Sequence, residues 1–107
     1  MDNNTQTKLI KVAIVTPAAH LSETPETDEP EFECDSLRMN AIDNEKGNGG
    51  GSFGVRYGHA DALAALDKGN ITAYSNGVII KTLYIEGGYA KISRDKVVII
   101  TPSYKKI

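Results

Sequence analysis

The sequence has little of three things that would each point to a function: cysteine, an excess of basic residues, and long apolar runs. Its single cysteine, Cys34, cannot form an internal disulfide, which fits a reducing compartment. No run of 18 apolar residues occurs, so no membrane-spanning helix is predicted. Lys and Arg number 12 against 14 Asp and Glu, for a formal net charge of −2. This charge argues against nucleic-acid binding and against direct binding to a membrane surface.

The N-terminus also lacks the features of a signal peptide. Residues 1–7 are polar, with no basic stretch and no apolar core, and we expect them to form a disordered tail. A chain of 107 residues is enough for one domain, which we predict to span residues 8–102. Residues 103–107 are predicted to be a short, solvated basic tail.

What the chain does have is a series of strand-like segments. Residues 7–15 alternate apolar and polar side chains, and Pro17 ends this strand. Residues 32–39 form a second such segment, in which the apolar phase shifts near Asp35; this shift predicts a bulge or a break. Asn76-Gly77 lies between two apolar runs and predicts a hairpin with a type I′ turn.

Further strands are predicted at residues 89–93 and 97–101, with turns at residues 67–70, 86–88 and 94–96. Short strands at this spacing are typical of a β-sandwich or barrel. Residues 60–67 have helical propensity but make barely two turns, so their structure stays open at this point.

Two loops interrupt the strands. Residues 22–33 are acidic and twice interrupted by proline, and we expect a mobile loop there. Residues 40–51 are rich in glycine and have few side chains that could anchor them.

The motifs that would indicate catalysis or cofactor binding are weak. Residues 49–54 match G-x-G-x-x-G literally, yet no helix follows them, so dinucleotide binding is not expected. Cys34, His20 and His59 are scattered, which excludes a zinc site at ligand spacing. His59 has no paired nucleophile, and the acidic residues form no fixed acid–base pair. We therefore expect no metal, no cofactor and no enzymatic activity, and instead a binding or structural module.

Five segments in register resemble one family. They are the first strand at residues 11–17, the segment at residues 33–39, the Phe-Gly-x-x-x-Gly-His-Ala loop at residues 53–60, the Leu-x-x-Leu-x-x-Gly at residues 63–69, and the Gly-Gly-aromatic pair of strands at residues 87–99. In this order they resemble the epsilon subunit of F-type ATP synthases, which is called delta in mitochondria. The resemblance runs from residue 11 to residue 101.

The resemblance implies an all-β fold, a flattened antiparallel β-sandwich of about ten short strands, with residues 62–66 extended rather than helical. It implies a non-catalytic subunit of the central stalk of the rotor, which contacts the gamma subunit and the polar loops of the membrane c-ring. Such a subunit couples proton-driven rotation of the ring to ATP synthesis. It would lie on the cytoplasmic face of a bacterial inner membrane and touch the membrane only through the complex.

The same resemblance assigns site residues. Ser52, Tyr57 and His59 would lie on the c-ring side, and Thr16 and Ala64 near gamma. The family usually has an acidic residue where this chain has Ser52, and nearby Glu45 is the expected substitute for its charge. An alternative remains at this point: the glycines of the loop serve only tight turns.

Other departures from the family are visible. Asp61 replaces a proline of the family loop, and the loops at residues 22–30 and 43–51 look longer than usual. The chain stops at Ile107, so we expect no C-terminal helical hairpin and no inhibition of ATP hydrolysis by that route. The alternative function from a different class is a free-standing β-sandwich that binds a small ligand or a peptide at its loop end.

Overall fold

The computed structural model describes residues 8–16, 31–42 and 51–107, and every regular element in them is a strand. The eight strands are β1 (Ile10–Val15), β2 (Glu31–Cys34), β3 (Ser36–Ala41), β4 (Gly51–Arg56), β5 (Ala62–Ser75), β6 (Val78–Ile92), β7 (Lys96–Ile100) and β8 (Tyr104–Lys106). The expected all-β fold is confirmed. Among the described residues there are eight strands rather than about ten, and no helix is long and apolar enough to cross a membrane.

The strands form one continuous sheet in the order β2-β1-β7-β6-β5-β3-β4, with β8 also paired to β6. All pairs are antiparallel except β1 and β7, which run parallel from Lys11 opposite Lys96 to Val15 opposite Ile100. The expectation of a purely antiparallel sandwich is therefore wrong for this one pair. No tight turn joins β1 to β7, so their relative direction is not fixed by a hairpin.

The longest element is the hairpin of β5 and β6. Its turn is the predicted Asn76-Gly77, in which Asn76 has φ 54° and Gly77 has φ 78°. Positive φ at both central residues is what a type I′ turn requires, so this prediction is confirmed. The turns predicted at residues 67–70 and 86–88 are wrong, because both stretches stay paired within the hairpin, as Lys68 opposite Glu86 illustrates.

The predicted turn residues mark a bend in the hairpin instead. Along β5 the buried positions change phase between Leu66 and Ile71, and along β6 between Ile85 and Ala90. The partner of β6 changes at the same point: its first half pairs with β8 and its second half with β7. The hairpin thus passes from one layer of a sandwich to the other, and both layers turn apolar side chains towards one core.

We call the two layers the first and the second. The first layer contains β4, β3, residues 70–75 of β5, residues 78–85 of β6, and β8. The second layer contains residues 62–66 of β5, residues 88–92 of β6, β7, β1 and β2. The molecule is flattened, with principal extents of 48 × 40 × 22 Å.

The core lies between the layers and takes buried residues from β1 to β7, while Phe32 of β2 and Tyr104 of β8 pack against it half-buried. On β1, for example, Ile10, Val12 and Ile14 are buried while Lys11 and Val15 are exposed. Cross-strand pairs of β-branched and aliphatic residues of this kind stabilise sheets. The other buried apolar residues are Cys34, Leu37, Met39, Val55, Leu66, Ile71, Ala73, Leu83, Ile85, Ala90, Ile92, Val97 and Ile99.

The predicted break near Asp35 is confirmed, since β2 ends at Cys34 and β3 begins at Ser36. The Asp35 amide donates a hydrogen bond to the Tyr74 carbonyl at 2.9 Å, and its carboxylate accepts one from the Asn76 amide at 2.6 Å. Asp35 therefore connects the break between β2 and β3 to the turn between β5 and β6 through two hydrogen bonds.

Two further expectations concern residues 62–66 and the C-terminal tail. Residues 62–66 are extended, as the resemblance implied, because Ala62, Leu63, Ala64, Ala65 and Leu66 all pair with β6. Part of the predicted solvated tail is a strand, because β8 pairs with Leu83, Tyr84 and Ile85. The predicted disordered tail and the acidic loop at residues 22–30 lie outside the described residues, as do residues 43–50 of the glycine-rich loop.

Candidate functional site

The predicted ring-side residue Ser52 lies on the outward side of the first layer. On β3 the buried Leu37 and Met39 face the core, so Arg38 and Asn40 point away from it. On β4 the same alternation leaves Ser52, Gly54 and Arg56 exposed. The Arg38 guanidinium donates a hydrogen bond from Nη1 to the Ser52 hydroxyl at 3.0 Å, so the two strands also share a side-chain contact.

The predicted ring-side residue Tyr57 lies in the turn that follows β4. Lys8 Nζ lies 5.4 Å from the centre of the Tyr57 ring, and Arg94 Cζ lies 5.8 Å from it. Both distances are within reach of a cation–π interaction. Gly58, with φ 91°, donates its amide to the Arg94 carbonyl at 2.7 Å, which fixes the turn against the bend between β6 and β7.

The predicted ring-side residue His59 follows directly and is half-buried. Its Nδ1 lies 2.6 Å from the Ala60 carbonyl oxygen. A carbonyl oxygen only accepts, so Nδ1 carries the proton in this contact. Its backbone amide donates to the Arg56 carbonyl at 3.2 Å. Within the described residues the ring therefore contacts main chain, and no Ser, Thr or Cys is recorded at hydrogen-bonding distance from it.

A cleft connects these residues. One hollow of about 400 Å³ is lined by Ser36, Arg38, Gly54, Arg56, Tyr57, His59 and Tyr74 among others. An adjoining hollow of about 710 Å³ shares several of these residues and adds Lys8, Asp35, Asn76 and Gly77. We call the surface formed by Lys8, Ser36, Arg38, Arg56, Tyr57 and Tyr74 the arginine cleft. Of the three described residues that were predicted for the ring side, Tyr57 and His59 line the first hollow and Ser52 hydrogen-bonds Arg38.

The predicted gamma-side residues lie elsewhere, at the second layer. Thr16 directly follows β1, next to Val15, whose carbonyl accepts a hydrogen bond from the Thr101 amide at 3.0 Å. Ala64 lies on β5 opposite Ala90 and is half-buried against the core. Its side chain therefore packs mainly inward, while those of its neighbours Leu63 and Ala65 point outward.

The outward side of the second layer carries a row of apolar residues, with the exposed Lys91 beside it opposite Leu63. Ala65, Tyr89, Ile100 and Val15 form one cross-strand row over four adjacent strands. Leu63 is 70% exposed and Tyr89 is 53% exposed, and both Ile100 and Val15 are also exposed. We call Leu63, Ala65, Tyr89, Ile100 and Val15 the apolar face. Contiguous exposed apolar surface of this kind marks interaction sites in soluble proteins.

Cys34 is the one cysteine of the chain. Cys34 is fully buried. Burial, and to a smaller extent the charge of Asp35, raise the pKa of its thiol to about 11, against an opposing hydrogen bond from the Ser36 backbone. A thiol with so high a pKa is a poor nucleophile at neutral pH. Among the described residues no three His, Cys, Asp or Glu side chains lie together as a metal site would require.

Sequence reasoning did not identify the two arginines of the cleft or the residues of the apolar face. Arg38 lies at an outward position of a segment that was predicted to be a strand, so the alternation of β3 carried a usable signal. Arg56 lies on β4, which was expected to be part of a loop. The apolar face was hidden because an apolar residue at an outward position looks like a core residue in sequence. Glu45, the predicted substitute for the missing acidic residue, lies outside the described residues.

The family model and the curated relative that match this chain come from the same family. Residues 47–106 match the family described as "ATP synthase, Delta/Epsilon chain, beta-sandwich domain". An ATP synthase epsilon chain from Granulibacter bethesdensis is 32% identical over 57 residues, which are 53% of this chain and 42% of that relative. The matched region is therefore less than half the length of this curated relative.

Solved structures show a related fold. A chain of the Euglena gracilis mitochondrial ATP synthase, in a structure of OSCP, F1 and the c-ring, matches with a TM-score of 0.63 at 18% identity, covering 99% of this chain and 57% of that one. A chain of the Tetrahymena thermophila mitochondrial ATP synthase, in a structure of the central stalk and c-ring, matches with a TM-score of 0.54 at 16% identity, covering 94% and 66%. The family match spans more than half of the chain, and this chain belongs to the ATP synthase delta/epsilon family through its β-sandwich domain.

Proposed function

We propose that this chain is a non-catalytic rotor subunit that couples rotation of the c-ring to the gamma subunit of an F-type ATP synthase. The observation that carries the proposal is the contrast between its two outward surfaces. The second layer presents the apolar face, whereas the first layer presents hydroxyl groups and the arginine cleft, and its exposed apolar residues Val78, Ile79 and Ile80 directly follow the hairpin turn. A subunit that transmits torque needs two distinct docking surfaces joined by a stiff body.

The apolar face suits a permanent protein partner. Interfaces of stable complexes have apolar cores with aromatic residues near their centres, and Tyr89 lies between Ala65 and Ile100 in the middle of the row. We assign this face to gamma, with Thr16 and Ala64 at its margins. Ala64 contributes by supporting Leu63 and Ala65 rather than by direct contact.

The arginine cleft suits the polar loops of the c-ring, with Ser52, Tyr57 and His59 on the ring side and Glu45 nearby in sequence. The chain would then lie on the cytoplasmic face of a bacterial inner membrane, and it would reach the membrane only through the complex. The contacts of His59 with main-chain carbonyls support a positioning role in the turn rather than catalysis.

Co-purification with the cognate gamma subunit tests the proposal. The wild-type chain should form a complex at micromolar concentration. The double variant Leu63→Glu/Tyr89→Glu should bind gamma at least about tenfold more weakly, because two charges would be buried in an apolar interface.

Val78→Glu is the matched control, because Val78 is 62% exposed but lies at the hairpin turn of the first layer. This variant should bind gamma like the wild type. If the wild-type chain formed no complex with gamma, the free-standing binding module would become the better function.

A further inference from the structure

An apolar segment at the start of β6 belongs to neither of the two surfaces described above. Val78, Ile79 and Ile80 are consecutive in the chain, and all three are exposed. They lie in the first layer, whereas the apolar face lies on the second layer, and none of them belongs to the arginine cleft. Exposed apolar residues that stand together mark interaction sites, so these three indicate a further contact surface.

The same segment is an open edge of the sheet. On one side, residues 78–79 pair with residues 74–75 of β5. On the other side, β8 reaches only as far as Thr82, whose carbonyl accepts a hydrogen bond from the Ile107 amide at 3.0 Å. Within the described part of the chain, no strand pairs with residues 78–81 on that side. An open edge presents backbone amide and carbonyl groups, which an added extended strand can satisfy.

The outermost strands of the described sheet carry charged residues, as edge strands of natural proteins do. The exposed charged residues are Glu31 and Glu33 on β2, Arg56 on β4, and Lys105 and Lys106 on β8. In residues 78–81 the single charge is that of Lys81, whose Nζ lies 5.3 Å from the centre of the Phe32 ring. This contact holds the ammonium group towards β2, so the open edge itself is neutral and apolar.

The pairing of this segment with β5 shifts register. Ala73 lies opposite Lys81 and Tyr74 lies opposite Ile79, so Ile80 has no partner in the ladder. A bulge of this kind bends the edge and limits strand addition to a few residues. A strand added here therefore makes a short contact, whose affinity depends chiefly on the burial of apolar side chains.

We propose that residues 78–81 pair in antiparallel fashion with the same residues of a second copy of this chain, so that the free chain forms a weak dimer. A two-fold axis brings the same surface of both copies together, so the segment must be complementary to itself. A neutral, β-branched segment meets this condition. The charged edges of β2, β4 and β8 do not, because like charges would face one another across the axis.

The end of β8 is compatible with this arrangement. β8 runs along the same edge of β6, and its pairing stops where the open segment begins. With residues 78–81 paired to those of the copy, the hairpin turn of the copy would meet Ile107 end to end. Ile107 is exposed and apolar, so it would add to the buried surface. The two first layers would then form one continuous sheet.

Sedimentation equilibrium of the full chain measures the association. The mass should rise from that of one chain, 11.5 kDa, towards twice that value between about 10 µM and about 1 mM, because so small a contact gives a weak dimer. Val78→Lys/Ile80→Lys should weaken the association more than about tenfold, since like charges would meet across the axis. A wild-type chain that stays monomeric throughout this range would overturn the inference.

Leu63→Glu/Tyr89→Glu is the matched control, because it changes two exposed residues of the apolar face and leaves residues 78–81 intact. This variant should dimerise like the wild type. Loss of dimerisation here, with dimerisation kept in Val78→Lys/Ile80→Lys, would assign the dimer to the apolar face and overturn the inference.

A mixture of two charge variants gives a readout that misfolding cannot imitate. Val78→Glu/Ile80→Glu alone should also be monomeric, but it should form a heterodimer when mixed with Val78→Lys/Ile80→Lys, because opposite charges then meet across the axis. Two variants that stay monomeric in the mixture, beside a wild type that dimerises, would contradict the proposed pairing.

Amide hydrogen exchange locates the contact within the chain. Exchange at residues 78–82 should slow as the concentration of the wild-type chain rises, whereas exchange at Val15 and Ile100 should not change. Exchange at residues 78–82 that is independent of concentration in a dimeric sample would overturn the inference.

Two further measurements separate this inference from other contacts. Both charge variants should bind gamma like the wild type, because the apolar face lies on the other layer, so failure of the dimer leaves the proposed function standing. Phosphatidylcholine vesicles should not bind the chain. Vesicle binding that is lost in Val78→Lys/Ile80→Lys would assign the segment to a lipid surface and overturn the inference.

Discussion

Gly88 is a residue at which the backbones of β6 and β7 approach closely within the second layer. It has φ 132°, and a Cβ built on it would lie 1.9 Å from the Ile100 carbonyl oxygen. Both the positive φ and the lack of space favour glycine. At the scale of single residues, this position therefore decides whether β6 can bend and still pair with β7.

We expect Gly88→Ala to lower the free energy of unfolding by about 3 kcal/mol or more, because the methyl group meets backbone that cannot rotate away. Urea unfolding followed by circular dichroism measures the change. Gly54→Ala is the matched control, because its Cβ would lie 3.8 Å from the Leu37 carbonyl oxygen and Gly54 has no positive φ. Its stability should stay unchanged or rise by up to about 1 kcal/mol. Equal stability of the two variants would contradict this account of the bend.

The buried thiol of Cys34 links stability to alkaline pH. Its pKa is raised from 9.0 to about 11 in the folded chain, chiefly by burial. Below pH 9 the thiol is protonated in both states, so its contribution to stability is fully present. Between pH 9 and about 11 the unfolded chain loses the proton more readily than the folded chain, so stability falls as pH rises.

The measurement compares unfolding free energies of wild type and Cys34→Ala from pH 8 to pH 11. The variant should be less stable at pH 8, because it leaves a cavity. Its stability should fall less steeply above pH 9, since the two proteins differ only in the thiol. Parallel curves for the two proteins would show that the thiol does not contribute.

At the scale of elements, the basic residues near the C-terminus belong to a strand, β8, and not to a solvated tail. Tyr104 packs against the core, and three residue pairs join β8 to β6. Lys105 Nζ also lies 5.8 Å from the centre of the Tyr84 ring. The strand therefore covers one edge of the first half of β6, which no other described strand pairs on that side.

Deleting residues 104–107 should lower the free energy of unfolding by about 1–3 kcal/mol, because apolar contacts and ladder hydrogen bonds are lost together. Thermal unfolding of the full chain and the shortened chain measures the difference. Lys106→Ala removes a charge but keeps the strand, and it should change stability by less than about 0.5 kcal/mol. A shortened chain as stable as the full one would favour the solvated tail expected from sequence.

The turns and bends of the strands show which features could be predicted from the sequence and which could not. Asn76-Gly77 and the break at Asp35 were predictable because each depends on local chemistry: a turn that needs positive φ, and a shift in apolar phase. The glycines at residues 87–88 gave the same local signal as a turn, although they mark a bend inside a paired strand. Only the pairing of Leu66 with Gly88 and of Tyr89 with Ile100 distinguishes the two, and such long-range register is not encoded in any short window.

Part of the candidate site could likewise be predicted from the sequence, and part could not. The positions of Ser52, Tyr57 and His59 around one surface could be expected from a family motif, because they lie within eight residues of one another. The contribution of Arg38 could not, because it comes from a different strand and depends on the register that sets it opposite Gly54. The parallel pairing of β1 with β7 was equally out of reach, since 80 residues lie between the two strands.

At the scale of the whole molecule, the two outward surfaces belong to layers that share the same two strands. Residues 70–75 and 78–85 lie beneath the outward side that includes the arginine cleft, while residues 62–66 and 88–92 form part of the apolar face. The contrast between the surfaces is therefore a property of one hairpin and its neighbours. It does not require a second domain.

The bend of that hairpin has a mechanical consequence. In a sandwich whose layers touch only through side chains, a shearing force is resisted by van der Waals contacts, and the layers can slip. Here β5 and β6 cross from layer to layer as covalent backbone, held together by a nearly unbroken ladder. A twist applied at one surface would reach the other as tension along two peptide chains, so little of the rotation would be lost as internal sliding.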